Sequence, residues 1–146
     1  MSKETDLAWV AGFIDGEACI TIRKYKGQKA VNFTHQLDIH LSNTSREALE
    51  KVQSVLGVGV IHSIPQRAKL GFKETWQFVI VANQAEAALR QVLPYLIAKR
   101  READIALEFA KLPRESYGRD GVPEHIMQMR EDLFLRIRAG RSKGTR

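Results

Sequence analysis

Near the start of the chain, Leu7-Ala8-Trp9-Val10-Ala11-Gly12-Phe13-Ile14-Asp15-Gly16-Glu17 is apolar through Ile14, too uniformly so for a helix lying on a protein surface. At helical spacing Leu7, Val10, Ala11 and Ile14 form one face, while Trp9 and Phe13 form another. Both faces therefore need apolar partners. The expected arrangement packs Trp9 and Phe13 on the chain's own core and leaves Ala8 and Gly12, four residues apart, to meet a second helix at close range. Asp15-Gly16 is expected to end the helix, because glycine adopts backbone angles that other residues avoid, so Glu17 stands just beyond it. A carboxylate beside a helix–helix seam is a candidate metal ligand.

With 146 residues, 44% of them apolar, the chain has material for one domain with a sizeable core. Lysine and arginine total 23 against 17 aspartate and glutamate, a net charge of +6 that favours a polyanionic partner. The single cysteine, Cys19, excludes an internal disulfide and a cysteine-type zinc site, and suits a reducing compartment. No apolar run approaches the ~20 residues of a membrane span, and the first residues lack the pattern of a signal or transit peptide. The expectation is a soluble protein with no membrane partner, its host compartment left open. His35, His40, His62 and His125 have no ligand spacing that suggests zinc, and His35 reads as core-facing.

After the first helix the pattern becomes alternation. Ile20 and Ile22 oppose Cys19, Thr21, Arg23 and Tyr25, and after a turn Phe33, His35, Leu37, Ile39 and Leu41 alternate with Thr34, Gln36, Asp38, His40 and Ser42. A long hairpin is expected. Thr44 or Ser45 then caps a helix carrying Leu49, Val52, Val55 and Leu56, with Glu47 reaching back and Gly57 closing it. Val58 to Ile64 reads as a third strand, and Thr75 to Ile80 as a fourth in which Trp76, Phe78 and Ile80 face the core. Asn83 or Gln84 opens a helix that Pro94 interrupts, a further helix runs from about Leu96 to Leu112, and a last one from Pro123 to Ile137. The order is αββαββααα. Residues 1–138 are expected to form a single domain, with 139–146 a basic, frayed tail.

Four antiparallel strands with helical connections imply a sheet with one face covered by helices and the other left to something polar. By alternation that open face carries Arg23, Tyr25, Thr34, Gln36, His40, His62, Lys73, Thr75 and Gln77. Arginine can bond the guanine edge, glutamine the adenine edge, and threonine can meet a thymine methyl, while Lys26, Lys29, Arg67 and Lys69 near the hairpin tips can reach phosphates. Double-stranded DNA is the expected partner of this face, Arg67 included among its contacts, with no small-molecule substrate.

Val10-Ala11-Gly12-Phe13-Ile14-Asp15-Gly16-Glu17-Ala18 resembles the nonapeptide of the LAGLIDADG homing endonucleases, departing from it at Val10, Glu17 and Ala18. The resemblance extends over roughly Asp6 to Leu112 and implies that family's α+β fold, an αββαββα saddle with a four-stranded antiparallel sheet and helices on one face, here with extra C-terminal helices. Leu41-Ser42-Asn43-Thr44-Ser45-Arg46-Glu47-Ala48-Leu49 resembles the segment that ends in a polar residue near the scissile phosphate, a place taken by Asn43, which would equally serve to cap the next helix. Leu93-Pro94-Tyr95-Leu96-Ile97-Ala98-Lys99-Arg100-Arg101-Glu102-Ala103 resembles the segment that supplies the active-site lysine, at Lys99, with Arg100 and Arg101 as neighbours able to substitute.

One motif with no internal repeat implies, in this family, a homodimer built on the motif helices and a palindromic or near-palindromic DNA site. The interface is expected to draw on Leu7, Ala8, Ala11 and Gly12. The implied activity is metal-dependent hydrolysis of phosphodiester bonds in both strands. Glu17 with the Gly16 carbonyl would hold Mg2+ or Mn2+, Lys99 would offset negative charge at the transition state, Asn43 would orient water, and Arg46 is a weaker supporting candidate. The competing readings are an RNA maturase of the same family, using the basic surface without the metal site, and a degenerate DNA-binding regulator. The second predicts loss of the acidic residue that Glu17 here retains.

Overall fold

The structure, a computed structural model, describes residues 3–28, 33–65, 69–113 and 121–140. The first two alternating runs form β1 (Ala18–Tyr25) and β2 (Thr34–Asn43), antiparallel with Ile20 opposite Ile39 and Arg23 opposite Gln36. The next two form β3 (Val60–Ser63) and β4 (Trp76–Val81), and β4 docks on β2 with Ile39 opposite Ile80, giving the sheet order β1-β2-β4-β3. Around the sheet in chain order stand α1 (Lys3–Glu17), α2 (Arg46–Leu56), α3 (Ala82–Val92), α4 (Arg100–Ala110) and α5 (Glu124–Ala139). The αββαββααα succession read from the pattern is the one these residues adopt.

Because side chains alternate along a strand, Ile20, Ile22, Leu37, Ile39, Leu41, Phe78 and Ile80 share one face, and none of them is more than 2% exposed. These five helices of the described residues pack on that face. Each side chain buried there contributes about 1.5–3 kcal/mol. No helix among the described residues is long and apolar enough to cross a membrane.

Helix α1 departs from expectation in two respects. It runs through Gly16 to Glu17 and passes straight into β1, and Gly16 is not among the glycines with positive φ, so it does not act as a left-handed stop. Its facing also differs in part. Leu7, Val10, Ala11 and Ile14 are buried in the protomer's core; Phe13 is half-buried and packs against that core as expected, but Trp9, its ring 5.4 Å away, is 38% exposed. The four-residue stripe is continuous along the helix and outweighs a two-ring patch. Leu7 and Ala11 are thus committed to the protomer's own core; of the four expected interface residues only Ala8 and Gly12 lie on the outer side.

Capping of α2 follows the sequence closely. Ser45, not Thr44, is the N-cap, its Oγ accepting from the Ala48 N–H at 3.2 Å, which leaves Glu47 one position short of a reciprocal capping box. Gly57 ends the helix at φ +75°, its N–H donating to the Gln53 carbonyl at 2.8 Å. The last helix covers the far end of the first hairpin. There Glu131 accepts from Lys24 Nζ at 3.0 Å and meets His35 Nε2 at 2.9 Å, which gives two polar groups on the core side of the sheet a partner. Lys24 and then His35 hold the Glu131 carboxyl below its usual pKa. His35 is core-facing as read, 8% exposed.

Candidate functional site

Strand register decides what meets at the C-terminal end of α1. Ala18 opens β1 opposite Leu41, so Glu17 stands at the sheet end where β2 finishes in Ser42-Asn43 and β4 begins with Trp76 opposite Asn43. Glu17 is exposed and forms no hydrogen bond or ion pair among the described residues. The Asn43 side-chain carbonyl accepts from the Ser45 N–H at 2.7 Å, which fixes the strand-to-helix corner and leaves the amide NH2 as the donor it has to offer. Arg46 lies at the same corner, paired with Glu50 at 2.9 Å and stacked 4.5 Å over the Trp76 ring.

Asp15 brings in the third component. Its carboxylate accepts from the backbone N–H groups of Ile97 and Lys99, both at 2.9 Å, and so ties the turn after Pro94 to the last turn of α1. This clamp explains why α4 starts at Arg100 and not near Leu96: a short 3-10 turn occupies Leu93–Tyr95, and the next free N–H groups go to a carboxylate from another helix. Lys99 is thereby held beside the α1 terminus with its side chain half-buried. Its neighbours are engaged elsewhere, Arg100 with the Leu93 carbonyl and Asp104, and Arg101 with the Arg136 carbonyl. Hydrogen bonds to a charged group contribute about 1.5–3 kcal/mol each. Asp15→Ala is therefore expected to lower unfolding free energy by roughly 3 kcal/mol in denaturant titration; an unchanged midpoint would mean that the clamp carries no weight.

The donor chemistry at this end fits a hard divalent cation. A carboxylate oxygen from Glu17 and the carbonyl of Gly16 are the ligand types that magnesium accepts while keeping much of its water and taking up substrate phosphates. Among the described residues no three His, Cys, Asp or Glu side chains cluster, so those of one protomer do not by themselves enclose an ion. The outer side of α1 presents Ala8, Trp9, Gly12 and Gly16. Nothing lies within 4 Å of where a Cβ on Gly12 or Gly16 would stand, so that strip is open to another helix.

The sheet face away from the helices holds most of the expected readout residues. Arg23, Tyr25, Thr34 and His62 are exposed, and Gln36, His40 and Gln77 are half-buried. His62 Nε2 and Gln77 Oε1, opposite each other in register, lie 3.0 Å apart. Two assignments change. Thr75 is 8% exposed and its hydroxyl donates to the Lys73 carbonyl, so it folds into the loop and not onto the face; Lys73 is exposed but precedes β4. Alternation was extended there beyond the paired residues. Arg67 lies outside the described residues. Thr21, Asp38, Ser42 and Val60 share the open face by register but were not singled out, and Gln84 at the start of α3 borders it. Their parity with Arg23 and His40 was the signal available.

Asp38 is the surprise on this face. Its side chain is 4% exposed, with Oδ1 2.6 Å from His40 Nδ1 and Oδ2 3.8 Å from Arg23. The hydrogen bond to Asp38, with a smaller contribution from Cys19, raises the His40 pKa to about 9.

Residues 10–106 match the family model described as LAGLIDADG endonuclease. The chain is 28% identical over 109 residues to the DNA endonuclease I-CvuI of Chlorella vulgaris, which is 71% of this chain but 63% of that protein. Its fold is similar to that of I-CvuI solved in complex with its target in the presence of Ca, with a TM-score of 0.82 at 19% identity, covering 99% of this chain and 87% of that one. The archaeal intron-encoded homing endonuclease I-Vdi141I, solved with DNA, gives a TM-score of 0.79 at 16% identity over 99% and 89% of the two chains. Against I-AabMI, solved bound to uncleaved DNA, the TM-score is 0.69 at 22% identity; 94% of this chain is covered but only 46% of that one.

Proposed function

Since this chain belongs to the LAGLIDADG endonuclease family, we propose that it hydrolyses both strands of duplex DNA at a palindromic or near-palindromic site, acting as a homodimer with Mg2+ or Mn2+ at Glu17. The observation that carries this reading is the convergence of Glu17, Asn43 and the Lys99 turn at one end of a polar sheet face, next to a helix whose outer side is open. The solved relatives support the partner, since I-CvuI and I-Vdi141I were crystallised with DNA. They also support pairing: I-AabMI matches this fold over less than half its length, which leaves room for a second unit of the same size in one chain.

In this mechanism the open sheet face lies in the major groove and presents Arg23, Gln36, His40, His62 and Gln77 to base edges, while lysines at its margins meet phosphates. Packing of Ala8 and Gly12 against their counterparts brings the two Glu17 carboxylates to the centre of the site, one for each strand. Glu17 and the Gly16 carbonyl would hold a divalent cation, which would supply charge neutralisation and lower the pKa of water. The ammonium of Lys99 offsets negative charge gathering on the phosphate, and the Asn43 amide donates to the attacking water or a phosphate oxygen. No serine, cysteine or tyrosine nucleophile is required.

The direct experiment is incubation of the wild-type protein with magnesium and duplex DNA spanning the insertion point of its own gene. The result expected is a double-strand break that EDTA abolishes; duplex DNA left whole at protein concentrations that bind it would contradict the reading. Lys26→Ala, at the exposed end of the first hairpin, is expected to weaken binding evenly across sequences and to lower the slope of log K against log salt by about 1. Gln77→Ala should instead relax base preference at one position of each half-site, by about 1–3 kcal/mol in competition binding.

A further inference from the structure

Resting on the DNA-binding reading above, we infer that Asp38 is a positioning residue for base recognition, holding His40 as an outward-facing hydrogen-bond donor beside Arg23 so that the pair selects a guanine at one position in each half-site. A carboxylate is out of place on a face that meets a polyanion, because like charges repel. Here it is almost wholly buried, and both its oxygens face cations, His40 at 2.6 Å and Arg23 at 3.8 Å. Two rungs of the sheet place the histidine, with Cys19 opposite it on β1 and Val79 opposite it on β4.

The charged and titratable groups around His40 are Asp38 on its own strand, Arg23 and Cys19 on β1, and His62 on β3; β4 and α3 contribute Gln77 and Gln84 to the same shallow concavity. With Nδ1–H given to Asp38, and the Cys19 side chain opposite also within hydrogen-bonding reach of the ring, Nε2 is the nitrogen left to meet a base edge. In the neutral ring that nitrogen accepts; in the imidazolium it donates. The raised pKa keeps the donor form through neutral pH. Guanine alone presents two acceptors, N7 and O6, to the major groove, and a donor pair from histidine and arginine matches them. The same carboxylate faces the Arg23 guanidinium at 3.8 Å, on the same side of the sheet as His40.

Two measurements test this. In the free protein, NMR titration of the His40 Cε1–H should show a midpoint near 9 that falls in Asp38→Asn toward the ordinary histidine value. For readout, wild type is used to enrich a binding duplex from a randomised double-stranded pool, and every single-base variant of that duplex is then compared. Asp38→Asn and His40→Gln should both lose discrimination at the same guanine, by roughly 5- to 100-fold, with other positions unchanged. In Asp38→Asn the residual discrimination should also fall between about pH 6 and pH 8, where wild type stays flat. Unchanged base preference in Asp38→Asn, or an even loss at all positions in His40→Gln, would overturn the inference while leaving the endonuclease reading intact. A wild-type protein that enriches no duplex would overturn both.

Discussion

Glu17→Gln is expected to bind duplex DNA as wild type does and to cut it on the order of 1,000-fold more slowly or not at all. Glu17 is exposed at the helix end with no partner among the described residues, so the isosteric amide should change stability by no more than about 0.5 kcal/mol. What the substitution removes is the anionic oxygen of the cation site. Charge stabilisation of a phosphoryl transition state by a metal amounts to several kcal/mol, and each ~1.4 kcal/mol is a factor of ten in rate. Binding measured with calcium and cleavage measured with magnesium separate the two effects. Cleavage within tenfold of wild type would remove Glu17 from the site.

The second large effect is on assembly. Gly12→Leu should yield a folded monomer, because a Cβ at this exposed position meets nothing within 4 Å in the protomer and leucine is favoured over glycine inside a helix by nearly 1 kcal/mol. The same side chain would stand between two helices that must approach closely. Sedimentation should therefore show loss of the dimer while thermal unfolding stays the same or rises, and double-strand cleavage should disappear with the dimer. A dimer that survives the substitution would place the interface elsewhere.

How far the sequence could be read depended on contrast. Strands with one apolar and one polar face have a period of two, so the alternation of Ile20, Ile22, Leu37 and Ile39 with Arg23, Gln36 and His40 was legible residue by residue. In α1 almost every residue is apolar, which erases the contrast that tells core side from outer side; the facing of Trp9 had to be learned from packing. The start of α4, at Arg100 and not near Leu96, departs from the pattern for a different reason. Asp15, 84 residues before Lys99, takes the N–H groups that would have continued a helix, and local propensity holds no trace of that bond. The buried Asp38 was hidden in the same way, since its partners come from register across strands as well as from its own neighbours.

Placement of the candidate site divides along the same line. Glu17 is visible from the motif, whereas the proximity of Asn43 depends on β2 ending opposite the start of β1. Lys99 depends on the Asp15 clamp. The last helix had no reading from sequence beyond its span, Pro123 to Ile137; Glu131, meeting Lys24 and His35, shows that it completes the core side of the first hairpin.

Two copies meeting along the outer strip of α1 would set both Glu17 carboxylates over one duplex. A crystal structure of the protein with the duplex it selects tests this most directly. The expected result is a two-fold pair of α1 helices in contact through Ala8 and Gly12, their axes about 8 Å apart, with each Glu17 beside a phosphate of a different strand. A single protomer on the DNA, or a pair joined through another surface with the two Glu17 residues on opposite sides of the assembly, would contradict it.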